Sequence, residues 1–391
     1  MTAPWARFDD LSTGVSLRCP PPSRVLTAVD PAGVVGVLQE VHDATEAGSW
    51  AFGYVGYEAA SGLDPLLPGA PAGPGELPLV WFGLCGAPAP VAPPAPPAGT
   101  GPQPGPWRPD WTDAEHARAV GVVRAHIAAG ETYQCNLTDR LRSTVPGDVE
   151  QLYARLALAQ QGAHNAYLDL GRHVVASASP ELLFEWTGDV VRTRPMKGTA
   201  PRGRTPAEDQ EHSRRLLASE KERAENLMIV DLLRNDLGRV AEVGSVVVDE
   251  LFTLERYPTV WQLTSQVSAR TRPGTGLLEL FGALFPCGSV TGAPKRRTMQ
   301  LIGELEPTPR GVYCGAVGLV GPPTAPVRAR FSVAIRTAVV DRSTGAAVYG
   351  AGGGITWGSQ APAERAELLT KAAVLTHDVT GHREPAPVGG R

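Results

Sequence analysis

The sequence predicts an α+β protein. Strand-like and helix-like segments follow one another in mixed order, with neighbouring strands that read as antiparallel. No internal repeat is visible, which sets aside solenoids and propellers. The balance of 42% hydrophobic and 19% charged residues is that of a folded globular chain.

In chain order, a helical stretch at about Val34–Ala44 precedes Ser49–Tyr57, where aromatics alternate with glycine at the period of a half-buried strand. Residues 1–86 are short and loop-rich, so they are expected to pack on the remainder of the chain. Ten prolines then fall within 22 residues, Pro88 to Pro109. Proline lacks the amide donor that helices and sheets need, so residues 87–110 read as an extended, polyproline-like linker.

A catalytic domain is expected over 111–380. It opens with a capping box, Thr112 to Glu115, whose helix carries Val120, Val123 and Ile127 and stops at Gly130. Thr132–Leu137 alternates as a strand with Gln134 and Asn136 on one face. A helix over Asp148–Gln161 is followed by strands near His173–Ala178, Leu182–Trp186 and Val190–Thr193. One long helix is predicted from Ala207 to Leu237, closed by Gly238. Strands recur at Ser245–Val248, Val317–Val320, Phe331–Val340 and Ala347–Tyr349. The last helix starts after Ser359 with Pro362 in its first turn and runs to about Thr376. Residues 381–391 read as a disordered tail.

Several function classes fall away. A net charge of -4 argues against nucleic acid or an anionic membrane held by bulk charge. No segment approaches the roughly 20 apolar residues of a membrane span. The opening MTAPWARFDD has acids where a signal peptide needs a basic and then apolar run. Five scattered cysteines without CxxC spacing suit a reducing cytoplasm rather than a disulfide framework or a zinc site.

Four groups of residues could carry chemistry. Glu222 with Glu225, and Glu364 with Glu367, lie three apart on two helices, each pair sharing a face. A hard cation such as magnesium would neutralise them; a solvated acidic face balanced by Lys221, Arg223 and Arg365 is the plainer alternative. Lys197, between a strand and the turn at Gly198, becomes a nucleophile or base if partly desolvated, and is otherwise a solvated turn lysine. The glycine-rich runs 288–295 and 350–354 could offer backbone N–H groups to an anion, or simply turn the chain. Neither has P-loop or dinucleotide spacing. Glu181, fixed behind Pro180, is a general acid if buried and a surface glutamate if not.

Taken together, ETYQCNL, SASPELLF, PMKGTAPRG, SEKERAENLMIVDLLRNDLGR, GSVTGAPK, RGVYCGAVG, VAIRT and AGGGITW with PAERAE resemble, in order and spacing, the chorismate-utilising enzymes. The resemblance covers about residues 110–376. It implies two antiparallel-rich β-sheets packed together and flanked by helices, with a magnesium-dependent site between them. It further implies Glu225 and Glu367 as metal ligands, with Glu222 and Glu364 supporting them. Tyr313, Arg336, Lys371 and the backbone of Gly352, Gly353 and Gly354 then resemble the contacts to substrate carboxylates. Thr291, Gly198 and Thr199 match pocket positions, and Glu181 matches the acid that helps the C4 hydroxyl leave.

Two positions discriminate between branches of the family. Water-adding members use a lysine where this chain has Gln134, which cannot act as a base. Lys197 stands where anthranilate-forming members usually carry alanine, and it resembles the lysine of the aminodeoxychorismate branch. The resemblance thus implies amination of chorismate at C4 for p-aminobenzoate and folate biosynthesis, with anthranilate formation as the alternative and a non-catalytic chorismate-binding subunit as a third reading. Asn226 and Gln262 depart from histidines found in many relatives. Gly83-Leu84-Cys85-Gly86-Ala87 falls short of a glutaminase nucleophile elbow, and no region is left over for such a domain. Ammonia is therefore expected from a separate glutamine amidotransferase subunit.

Overall fold

The structure, a computed structural model, describes residues 3–73, 75–96, 104–258 and 260–376. Two ten-stranded sheets form its centre, and every strand pairing in them is antiparallel. The first sheet runs from Gly292–Ala293 through Gln134–Thr144, Ala346–Ile355, Thr337–Asp341, His173–Ser179 and His164–Asp169 to Trp5–Asp10, Val15–Cys19 and Ala89–Pro90. The second runs from Met196–Pro201 through Val260–Arg270, Val190–Arg194, Leu182–Thr187, Ala329–Val333 and Ala316–Val320 to Trp50–Val55, Val80–Cys85 and Arg24–Ala28. This is the expected architecture.

The layers follow from which faces are apolar. Ala6, Cys19, Ala166, Leu168 and Val175 of the first sheet meet Phe52, Tyr54, Trp81, Cys85 and Val317 of the second. On its other face the second sheet buries Phe184 and Phe331 under Leu280, Phe281, Ile229 and Leu233 of the helices. The first sheet is covered by Leu152, Tyr153 and Leu156 of the Val149–Gln160 helix and by Leu368 of the last helix. Each such side chain removed from water contributes about 1.5–3 kcal/mol, so the sandwich is a rigid frame for the groups it carries. The segment before residue 86 contributes strands to both sheets. Both ends of the proline-rich segment are short strands on the first sheet: Ala89–Pro90 pairs with Val15–Cys19, and Arg108–Pro109 with Gln134–Thr144. Its middle, residues 97–103, and the 381–391 tail lie outside the described residues. No helix among those described is long and apolar enough to cross a membrane.

Three expectations are corrected. The long helix over 207–237 is two, Pro206–Ala218 and Glu220–Gly238. Ser219 between them is extended, and its hydroxyl accepts the amide of Glu222, so the serine starts a new helix. The strand over Phe331–Val340 is also two, Ala329–Val333 in the second sheet and Thr337–Asp341 in the first, joined through Arg336 at φ +50. Finally, the glycines at 350–354 are no loop. They continue the strand Ala346–Ile355, paired residue by residue with Gln134–Thr144.

Candidate active site

The chain passes between the sheets at two adjacent places. Ser179 ends a strand of the first sheet and Leu182 begins one of the second, while Val333 and Thr337 mark the return. The crossings are tied together: Val333 N–H donates to Glu181 O at 3.0 Å, Ala178 N–H to Arg336 O at 3.1 Å, and Ser179 Oγ to Val333 O at 2.6 Å. Glu181 and Arg336 are the residues at these crossings. Both line a cavity of about 150 Å³. At 10–15 Å³ per water this has room for about ten waters, the scale of a small molecule.

Thirteen of the sixteen residues singled out from the sequence line that one cavity: Glu181, Lys197, Gly198, Thr199, Glu222, Glu225, Tyr313, Arg336, Gly352, Gly354, Glu364, Glu367 and Lys371. Gly353 lies behind the acids, where a Cβ would stand 3.4 Å from Glu364 Oε2 and 3.8 Å from Glu367 Oε1. Gln134 and Thr291 do not line the cavity. Gln134 is fully buried behind Gly354, with its side-chain amide unpartnered. The Thr291 hydroxyl donates to Cys287 O at 3.1 Å, pinning the turn Gly288–Val290.

Burial drives the acid and the amine toward their neutral forms. Glu181 is 3% exposed, and burial raises its carboxyl although Ser289 and Lys197 oppose the shift. Lys197 sits at a register shift between Met196 and Thr199, beside Gly198 at φ +85, so the strand turns its side chain into the cavity. Desolvation lowers its amine below the 10.5 of a free lysine, against the pull of Glu225 and Glu181. Its Nζ donates to Ser289 O at 3.2 Å, and Ser289 Oγ donates to Glu181 Oε1 at 2.7 Å. A carboxyl shifted upward and an amine shifted downward thus share Ser289 as a partner.

The four metal-candidate glutamates come from the two helices Glu220–Gly238 and Ala361–Ala372 and meet at one end of the cavity. Burial raises Glu222 and Glu364, with the charges of Glu225 and Glu367 adding to the shift. Burial also pushes Glu367 upward, but Lys371, Lys197 and Lys221 outweigh it and leave the carboxyl lowered. Lys221 Nζ is 3.8 Å from Glu225, and Lys371 Nζ is 2.8 Å from Glu367. Among the described residues no three acids close to ligand spacing. The donor set, oxygen only and spanning two helices, suits a hard divalent cation in the place these lysines now serve.

The far wall suits a carboxylate. Arg336 is partly exposed and bonds Gln160 Oε1, and among the described residues it makes no ion pair. Tyr313 lies on Gly350, where a Cβ would be 2.3 Å from the ring. Gly350→Ala is therefore expected to displace Tyr313 and cost about 1–3 kcal/mol through overpacking. Thermal unfolding would show this as a lowered midpoint, together with weakened ligand binding.

Sequence alone assigned no role to Ser289 or Tyr349, which also line the cavity. Ser289 stands inside the GSVTGAPK block, but only the fold reveals what its hydroxyl meets. The two departures are accounted for. Gln262 donates through Nε2 to Gly198 O at 2.9 Å and accepts from Thr199 Oγ1 at 3.1 Å, holding the Lys197 strand. Asn226 is buried and accepts from Ser265 Oγ at 2.6 Å. Cys85 is buried at the end of the strand Val80–Cys85, not on an exposed elbow.

Comparison with known proteins agrees with this fold. Residues 22–377 match the chorismate binding enzymes. Over 273 residues the chain is 44% identical to anthranilate synthase component 1 of Streptomyces coelicolor, covering 69% of this chain and 52% of that protein. Over 271 residues it is 40% identical to aminodeoxychorismate synthase component 1 of Salmonella typhimurium, covering 69% and 59%. The match thus spans between half and three fifths of the length of these curated relatives. The crystal structure of anthranilate synthase component I from Streptococcus pneumoniae aligns with a TM-score of 0.79 at 25% identity, over 93% of this chain and 92% of that one. The relatives carry two different activities in their names, but one family contains them all: this chain belongs to the chorismate binding enzymes.

Proposed function

We propose that the chain is an aminodeoxychorismate synthase component I, converting chorismate and ammonia to 4-amino-4-deoxychorismate. The observation that carries this reading is the lysine. Lys197 enters the cavity beside a protonated-leaning carboxyl, and its own amine is shifted toward the free base. An alanine there could not take part covalently.

In this reading Arg336, Tyr313 and the Gly352–Gly354 backbone seat chorismate by its carboxylates. Lys197 Nζ attacks C2 while both double bonds of the ring diene shift and the C4–O bond breaks. Glu181 gives its proton to the departing hydroxide, which leaves as water. Ammonia then adds at C4, both double bonds shift back, the C2–N bond to Lys197 breaks, and a proton from the new ammonium returns to Glu181. Two moderate substitutions replace one difficult one, and the enolpyruvyl group stays on the product. A magnesium ion held by Glu225 and Glu367, with Glu222 and Glu364 behind them, would supply charge neutralisation and a tether for a substrate carboxylate. The ammonia comes from a separate glutamine amidotransferase subunit, and ammonium salts serve as a weaker source.

Mixing the protein with chorismate and magnesium in the absence of ammonia tests the covalent step. Intact-protein mass should show an adduct of dehydrated chorismate, mapped by peptide sequencing to Lys197; a clean unmodified mass under turnover conditions would count against it. Glu181→Gln should lower kcat by about 10²–10⁴-fold with little change in chorismate affinity. It should also remove the alkaline fall in rate, because deprotonation of Glu181 is what ends activity as pH rises. A variant that instead loses binding would make Glu181 a substrate contact. Anthranilate formation is the second reading, favoured by the 44% identity to a protein of that name; Lys197 stands against it.

A further inference from the structure

We infer that Ser289 is a positioning residue that holds Glu181 and Lys197 as one unit. The inference rests on the acid and amine roles proposed above. Ser289 lies in the short turn Gly288–Val290, 4% exposed, and reaches both groups with different atoms. Its hydroxyl donates to Glu181 Oε1 at 2.7 Å, and its main-chain carbonyl accepts from Lys197 Nζ at 3.2 Å. Glu181 comes from a sheet crossing and Lys197 from a strand of the second sheet; the Met196 main chain, next to Lys197, also bonds the Glu181 carboxyl, but among the described residues only Ser289 reaches both side chains.

The hydroxyl also decides which oxygen can act. With Oε1 accepting from Ser289 Oγ, the carboxyl proton belongs on Oε2. Cys287 Sγ lies 3.2 Å from Ser289 Oγ and 3.9 Å from Oε1, closing the same side with a weak partner. The turn itself cannot drift. A Cβ at Gly288 would stand 2.1 Å from Leu232 Cδ2, Thr291 Oγ1 donates to Cys287 O, and Arg310 Nη1 donates to Val290 O at 2.7 Å.

The test compares wild type, Ser289→Ala, Glu181→Gln and the double variant in steady-state kinetics, after the wild-type product has been identified. Ser289→Ala is expected to lower kcat by roughly tenfold to a hundredfold, the span of a lost hydrogen bond to a charged or ionisable partner, with KM for chorismate unchanged. In the Glu181→Gln background the same substitution should cost nothing further, because the serine acts through the acid. An unchanged kcat, a rise in KM alone, or losses that multiply in the double variant would each overturn the inference. Should the alanine variant fail to fold, Ser289→Cys keeps the volume with a weaker donor, and the same cycle applies. If the wild-type product is anthranilate, the reading of Lys197 fails by that fact alone, and the cycle still reports on Ser289 separately.

Discussion

Replacing Lys197 with alanine is expected to reduce aminodeoxychorismate formation by at least about a thousandfold, as losing the nucleophile of a covalent route does. Chorismate should still bind, because Arg336 and Tyr313 are untouched and the alanine leaves space rather than filling it. Arginine at the same position is expected to fail equally: a guanidinium stays protonated and has no free pair to offer. The contrast matters because desolvation lowers the native lysine, so a free amine is available at lower pH than in solution. A variant that aminates chorismate at the native rate would remove the lysine from the chemistry.

The second large effect concerns the acids. Glu225→Gln is expected to abolish activation by magnesium at millimolar concentration. The loss should exceed the roughly 10–100-fold that outer partners of a metal site cost, while Glu222→Gln and Glu364→Gln should fall within that range. Removal of divalent cations by a chelator should mimic Glu225→Gln in the native protein and be reversed by magnesium. Titration calorimetry would separate the two classes, since a ligand variant loses metal binding itself. Magnesium-independent kinetics in Glu225→Gln would refute the assignment, leaving Lys221 and Lys371 as the permanent partners of Glu225 and Glu367.

Much of the fold was legible because local signals were strong. The Thr112 capping box, the helix after Asp148 and the period-two run at Trp50–Val55 lie where the sequence pattern placed them. The failures share a cause. Ser219 breaks a helix that the surrounding apolar pattern would have continued, because one hydroxyl captures the Glu222 amide. Arg336 breaks a strand that is uniformly β-prone, because the chain must leave one sheet for the other, a tertiary demand with no local mark. Gly350 to Gly354 look like a loop by composition but form a strand, since their missing side chains admit Tyr313 and Gln134. Residue types with obvious chemistry could be picked out as candidates, whereas Ser289 could not, because a serine gains its role only from what it touches.

Product analysis establishes which reaction the protein catalyses. The purified protein would be incubated with chorismate, magnesium and ammonium, and the products separated and identified by mass. The expected product is a non-fluorescent aminated chorismate that keeps its enolpyruvyl group and that a separate lyase converts to p-aminobenzoate. Fluorescent anthranilate released together with pyruvate would contradict this expectation.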